Sequence, residues 1–223
     1  VQRSHRALRG VGTLAIGMGM LATGILLITA RGGIPLWVSI IVANALIQTA
    51  YVVNWRGIRR LIGAEPLSPV FFAIPLVVAA AIAYYWDDAA ALGLRMGFGQ
   101  TSAGVLYLLQ GMDLTRRWRS GGLGQRLLGA GLLIHGGFLL IAGIAAFLSD
   151  AGGDIHAGSP FRAMLVLEGF AAAVILVAAI FLTINDRLIG ELNLQATIDP
   201  LTEAYNRRAF YMIAEKDMSR FAR

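Results

Sequence analysis

Cysteine is absent from these 223 residues, which excludes disulfides, thiolate-ligated haem and thiol-based zinc sites. Charge is scarce: 14% of residues are Asp, Glu, Lys or Arg, against about a quarter in a soluble domain. A chain that is 57% hydrophobic, with mean hydropathy +0.67, cannot cover a globular surface with polar groups, so lipid is its natural solvent. A continuous basic face is also missing. The net charge is +6, yet the arginines recur in clusters at the ends of apolar segments. That pattern argues against nucleic acid as a partner and fits positive-inside membrane topology. No cleavable signal peptide is visible and residue 1 is Val, so the chain is expected to be a fragment trimmed at both ends.

What is present is long apolar runs. A bilayer-crossing helix needs about 20 mostly apolar residues, and six stretches qualify: 11–30, 36–55, 69–86, 98–114, 127–148 and 163–185. Each stops at Arg, Asp, Gly or Pro. The fourth is the most polar, with Gln100, Gln110 and Asp113. One side of the array collects Arg3, Arg6, Arg9, Arg56, Arg59, Arg60, Arg116, Arg117, Arg119 and Arg126; the other has single arginines, Arg31, Arg95 and Arg162, beside Asp87, Asp88, Asp150 and Asp154. This alternation predicts six spans with both ends of the chain in the cytoplasm. Trp37, Tyr84, Tyr85, Trp86 and Phe98 gather near the outer interface as an aromatic belt. The expected fold is all-α, a polytopic membrane helical bundle over residues 1–185.

Small residues punctuate the spans: Gly12, Gly17, Gly19 and Gly24 in the first, and Gly129, Gly131, Gly136, Gly137 and Gly143 in the fifth. Helices in lipid associate by close backbone approach, which small side chains permit. Ala15 with Gly19, and Gly169 with Ala173, stack at four-residue spacing and are expected to pack within the chain, a dimer contact being the other reading.

Ionisable groups inside a span are expensive and mark candidate function. His135 lies roughly 12 Å from the cytoplasmic end of the fifth span and Glu168 roughly 8 Å below the outer end of the sixth, at about 1.5 Å per residue. At those depths they meet only if the helices tilt. Glu168 is a candidate for an outer ligand or proton, or for an interfacial carboxylate meeting Arg95 or Arg162. His135 reads as an interhelical hydrogen-bonding group, with a sensing role as the sharper alternative. Asn44 and Gln48 share a helix face and, with Gln100, Ser102 and Gln110, either line an outward-facing cavity or act as polar glue between helices. A lone membrane histidine and the absence of a ligand cluster leave no metal site and no cofactor expected in this chain.

Beyond Asn185 the helix should continue over 186–198 as a cytoplasmic signalling helix. Ile184, Leu188 and Leu192 form one stripe, a short candidate coiled-coil seam. Asp199-Pro200 then interrupts it, because proline lacks an amide hydrogen and restricts the residue before it. Thr202 is a candidate N-cap for an amphipathic helix in which Phe210, Ile213, Met218 and Phe221 share a side.

This joint carries Asp199-x-Leu201-Thr202-x-x-x-Asn206-Arg207-Arg208, which resembles the opening of the GGDEF domain of bacterial diguanylate cyclases, D-x-L-T-G-L-x-N-R-R. Glu203 and Ala204 depart from the family's Gly and Leu. The resemblance covers about thirty C-terminal residues and makes 199–223 the start of such a domain; the run 36–63 is similar to the membrane part of the same proteins. It implies a parent in the bacterial inner membrane, possessing a further span ahead of residue 1. That parent would join two GTP molecules into cyclic di-GMP across a homodimer, with Mg²⁺ and GTP held by the cyclase domain. The GG(D/E)EF loop itself is not in this sequence, and Gly152-Gly153-Asp154 is not it. The chain is thus expected to be non-catalytic, with Asp199, Asn206 and Arg207 bracing the joint.

The leading expectation is a membrane sensor, anchor and dimerisation module regulating a C-terminal diguanylate cyclase, with the bilayer, a second copy and a small-molecule or lipid signal as partners. Two other classes stay open: a passive anchor, and a transporter or channel with a regulatory tail. No span shows the mid-membrane break of a discontinuous transporter helix, although Pro75 could kink the third.

Overall fold

The helices cover the apolar runs but extend past several charged borders: the second runs on from Trp55 through Arg56 to Leu61, the fourth starts at Leu92 ahead of Arg95, and the fifth at Leu123 ahead of Arg126. The computed structural model describes residues 10–88, 91–118, 121–148, 160–195, 204–206, 209–211, 214 and 218, with 160–163, 191 and 193–195 defined by their backbone. α1 covers Val11–Thr29. A π-helical turn, Val38–Val42, leads directly into α2, Ala43–Leu61. A 3-10 turn, Pro69–Phe72, leads into α3, Ala73–Tyr84. α4 is Leu92–Thr115, α5 Leu123–Leu148 and α6 Pro160–Gln195. No β-strand forms among the described residues.

The boundaries have local causes. Ser68 accepts from the amide of Val70 ahead of Pro69, a proline-started turn. α2 ends with Gly63 at φ 69°, its amide bonded to Arg60 O and that of Ala64 to Arg59 O. This left-handed turn ties up the last carbonyls of the helix. The third stretch changes from 3-10 to α at Ala73, two residues before Pro75, so the proline sits within the first α turn, where it is tolerated.

Four helices are long and apolar enough to cross a membrane: Val11–Thr29, Val38–Leu61, Leu123–Leu148 and Met164–Gly190. Their outward faces are hydrophobic, with Leu26, Ile134, Ile141, Leu167 and Phe170 each at least 66% exposed. Water would not tolerate such a surface over whole helices, and the molecule is a membrane-embedded helical protein. The other two expected spans differ from these four. Pro69–Tyr84 is apolar but shorter, and α4, 24 residues long, carries Arg95, Gln100, Gln110 and Asp113.

Successive helices run in alternating directions, as their contacts record. On α1 and α2, Gly10 faces Gly57 and Leu61 while Gly24 faces Ala43 and Ile47. On α4 and α5, Gly97 faces Phe147, Gly104 faces Leu140, and Gly111 faces Leu133. α2 and α4 run side by side in the same direction, with Gln48 bonded to Gly99 O and Trp55 to Asp113. α5 and α6 are antiparallel, Gly131 touching Leu176 and Gly124 lying against Thr183.

The most extensive contact is between α4 and α5. A Cβ on Gly104 would stand 2.6 Å from Leu140 N, and one on Gly136 would stand 2.9 Å from Leu108 N. The responsible glycines recur every seven residues: Gly97, Gly104 and Gly111 on α4, Gly129, Gly136 and Gly143 on α5. Gly10, Gly17 and Gly24 repeat the spacing along α1. The four-residue pairs behave differently from the expectation. A Cβ on Gly19 or Gly169 would meet nothing within 4 Å, and Ala15 and Ala173 are exposed. Four residues overshoot a full circle by about 40°, whereas seven fall short of two circles by about 20°. The longer repeat therefore keeps glycine on the seam.

Candidate functional site

At the end of the bundle where α1 finishes and α2, α4 and α6 begin, five helices leave a cavity of about 460 Å³. Asn44, Gln48 and Gln100 line it together, as one of the two sequence readings anticipated. Gln48 is almost fully buried; its Nε2 donates to Gly99 O at 2.9 Å and its Oε1 accepts from Ser102 Oγ at 2.9 Å. It is therefore fixed, and Ser102 backs it from outside the lining. Asn44 Nδ2 donates to Ile40 O at 2.6 Å. Gln100 Oε1 is buried with no hydrogen-bond donor. Gln110 sits deeper, donating to Tyr51 O at 3.4 Å, and is not part of the wall.

Sequence reasoning did not foresee that Arg31 and Arg95 both border this cavity. Arg95 is held by one nitrogen: Nη1 donates to Tyr85 O at 2.6 Å, Trp86 O at 3.2 Å and Asp88 O at 2.6 Å. Those carbonyls close the end of α3, and a cation there suits the negative end of the helix dipole. Arg31 Nε lies 3.4 Å from Ser39 Oγ. The sequence reading has both as single arginines on the sparsely charged side, Arg95 also as a partner for Glu168. The aromatic residues expected at that interface do assemble at this end, with Tyr85 over Phe98 and Phe98 edge-on to Phe147.

Tyr51 forms the deep wall of the cavity and begins a series of contacts leading to α6. The rings of Tyr51 and Tyr107 are 4.9 Å apart, as are those of Tyr107 and His135. His135 Nδ1 stands 2.7 Å from Glu168 Oε1, a distance at which the ring N–H donates to the carboxylate. The pair is largely buried, and the second carboxylate oxygen, Oε2, has no hydrogen-bond partner among the described residues. Glu168 thus meets His135 rather than Arg95; the Arg162 side chain lies outside the described residues. Counting depth from the helix ends had set the two groups apart. In the structure α5 continues 13 residues past His135, while α6 begins eight residues before Glu168, so the helix ends are not level. A proton can sit on either member without changing the net charge of the pair, and removing one member strands the other in a medium that penalises it.

α6 also touches the cavity through Leu165, one turn before Glu168. At the opposite end of the bundle two bonds fasten it. Asp186 Oδ2 accepts from the Gly124 amide at 2.9 Å, placing a carboxylate at the positive start of α5. Arg187 donates to the carbonyl of Ile62 at the end of α2. At this end too, Arg59 Nη1 is 2.6 Å from Asp113 Oδ2, which also accepts from Trp55 Nε1 at 3.1 Å.

Of the motif residues, Asn206 is described: its Oδ1 accepts from the Ala209 amide at 2.8 Å and its carbonyl from Phe210 N at 3.0 Å. That is an N-cap, the role the sequence had assigned to Thr202. Asp199, Leu201, Thr202, Arg207 and Arg208 lie outside the described residues.

Comparison with protein-family models, with curated proteins and with solved structures returns no match.

Proposed function

We propose that the chain is a membrane sensor and anchor module in which the state of the cavity is passed along α6 to a cytoplasmic diguanylate cyclase domain. The observation that carries this reading is the continuity of α6. One 36-residue helix holds Leu165 at the cavity, Glu168 in the His135 pair and Asp186 at the far fastening, and then leads towards the Asp199–Arg208 motif. A helix of that length spans about 54 Å, more than the hydrocarbon core of a bilayer. A signal that favours one of two packings of α6 would be delivered beyond the membrane as a shift of population.

In this reading all six helices cross the inner membrane of a bacterium, with both ends of the chain on the cytoplasmic side. The alternating helix directions and the arginine distribution support it. α4 spans because its polar groups face inward, to the cavity and to Arg59. The module works as a homodimer, since the resembled cyclases need two GTP-loaded subunits. A passive anchor would have no need of a charged cavity wired to its exit helix, which favours sensing over that alternative.

Two measurements test the proposal. Sequence downstream of Arg223 should contain GGDEF or a close variant within about a hundred residues, a domain's length; without it the cyclase assignment fails. With the full parent in membranes, Glu168→Gln and Asn44→Ala should change cyclic di-GMP formation from GTP and Mg²⁺ at unchanged protein level. Unaltered output would leave only an anchor.

A further inference from the structure

The geometry points to the cavity as a binding site for an amphiphilic carboxylate that carries a hydroxyl, a medium-chain hydroxyacid being the simplest example. This gives the signal in the proposed function a chemical class. The binding itself does not depend on that reading, although its consequence for output does.

Three features of the wall select the ligand. Among the described residues, Arg31 and Arg95 border the cavity while no carboxylate lines it; Asp87 and Asp88, which follow α3, are not part of the lining. The hydrogen bonds of Arg95 to the carbonyls after α3 use Nη1 and that of Arg31 to Ser39 uses Nε, so among the described residues nitrogens of both remain for an anion. A guanidinium presents paired donors that match a carboxylate. Next, Gln100 Oε1 is a buried acceptor without a donor. A buried polar atom normally has a partner, and a ligand hydroxyl supplies one. Finally, Ile28, Ile47, Leu139 and Leu165 make part of the wall apolar, and its volume of about 460 Å³ falls within the range of small-molecule sites, about 300–1,000 Å³. An inorganic anion would leave most of that space and all of that apolar surface unused.

The orientation follows from the same residues. The acid group meets Arg31 and Arg95, and the hydroxyl reaches Gln100. The chain lies toward Leu139 and Leu165, so that the ligand touches α6 next to Glu168. An anionic phospholipid headgroup has the same attraction for the arginines, but its glycerol and two acyl chains exceed the cavity; lipid composition separates the two sources.

The test is equilibrium dialysis of radiolabelled 3-hydroxydecanoate against the protein in phosphatidylcholine nanodiscs. Saturable binding of one molecule per chain is expected, unchanged when phosphatidylglycerol replaces a third of the lipid. Arg31→Gln should weaken it at least tenfold, Gln100→Leu by a smaller factor, and decan-1-ol should fail to compete. Arg31 is the informative arginine because Arg95 also secures the end of α3. The proposal is overturned if binding does not exceed that of empty nanodiscs, if Arg31→Gln binds as tightly, or if phosphatidylglycerol abolishes binding. Binding that leaves the parent's cyclic di-GMP output unchanged keeps the site and removes the sensing role instead.

Discussion

At one end of the bundle Arg59 is closed off by Asp113 at 2.6 Å, with Trp55 donating to the same oxygen. At the other, Arg31 and Arg95 border a cavity lined by amides and apolar side chains, with no carboxylate among the described residues. The side-chain type is the same, as is the setting at the rim of apolar helices, but the consequence is opposite. The closed end spends its positive charge internally and gains a fixed joint between α2 and α4. The open end keeps positive charge at the wall, with Asp87 and Asp88 acting on Arg95 from outside the lining. The asymmetry fits the binding site proposed for the open end.

The sharpest way to break the comparison is Asp113→Ala. It leaves Arg59 partly buried without its counterion and Trp55 without its acceptor, and should cost about 2–3 kcal/mol, read as a lowered melting temperature in detergent. Anion binding at the far cavity should not change. Gly104→Ala acts on the seam that spaces the two ends. Its Cβ would press on the main chain of Leu140 at 2.6 Å, for an expected loss of about 1–3 kcal/mol by the same melting assay.

Converting the open end to a closed one sharpens the contrast. Gln100→Glu supplies the cavity with the carboxylate that it lacks and should reduce 3-hydroxydecanoate affinity about tenfold, or about 1.4 kcal/mol, without lowering the melting temperature. A smaller effect is expected from Asp186→Ala, which removes one hydrogen bond to the start of α5 and should cost about 1 kcal/mol. The smallest belongs to Gly137→Ala. A Cβ there meets nothing within 4 Å, so the change should stay within about 0.5 kcal/mol, making it the matched control for Gly104→Ala.

Much of the fold was legible because apolar length and charged punctuation are strong one-dimensional signals. Helix ends at Thr29 and Thr115 fall beside Arg31 and Arg116, whereas the second helix runs past Arg56 to Leu61 because an arginine at the rim of the bundle does not itself break a helix. Asn44, Gln48 and Gln100 could be grouped because two of them share a helix face and polar groups in lipid seek company. The missing parts were those that depend on register between helices. His135 and Glu168 were found singly and not as a pair, since no sequence rule levels the ends of neighbouring helices. Arg95 looked like an interfacial charge until its carbonyl partners at Tyr85, Trp86 and Asp88 were visible. The seven-residue glycine spacing is present in the sequence, and the angular arithmetic favours it over the four-residue pairs.

The two bonds that fasten the exit of α6 have a side chain on one side only: Asp186 meets the amide of Gly124, and Arg187 the carbonyl of Ile62. Every residue at 62 offers a carbonyl, whereas at 124 a Cβ would clash with Thr183 N, so only glycine lets α6 approach closely enough for its amide to meet Asp186. The host surface therefore cannot lose its half of the Ile62 bond through an ordinary side-chain change, and a reversed charge at either position cannot restore a damaged bond. Charge-swap rescue, the usual genetic proof of an ion pair, has no counterpart at this joint. Second-site suppressors of lesions at Asp186 or Arg187 should arise on α6 itself or in the packing beneath it, and positions 62 and 124 should stay silent in such a screen.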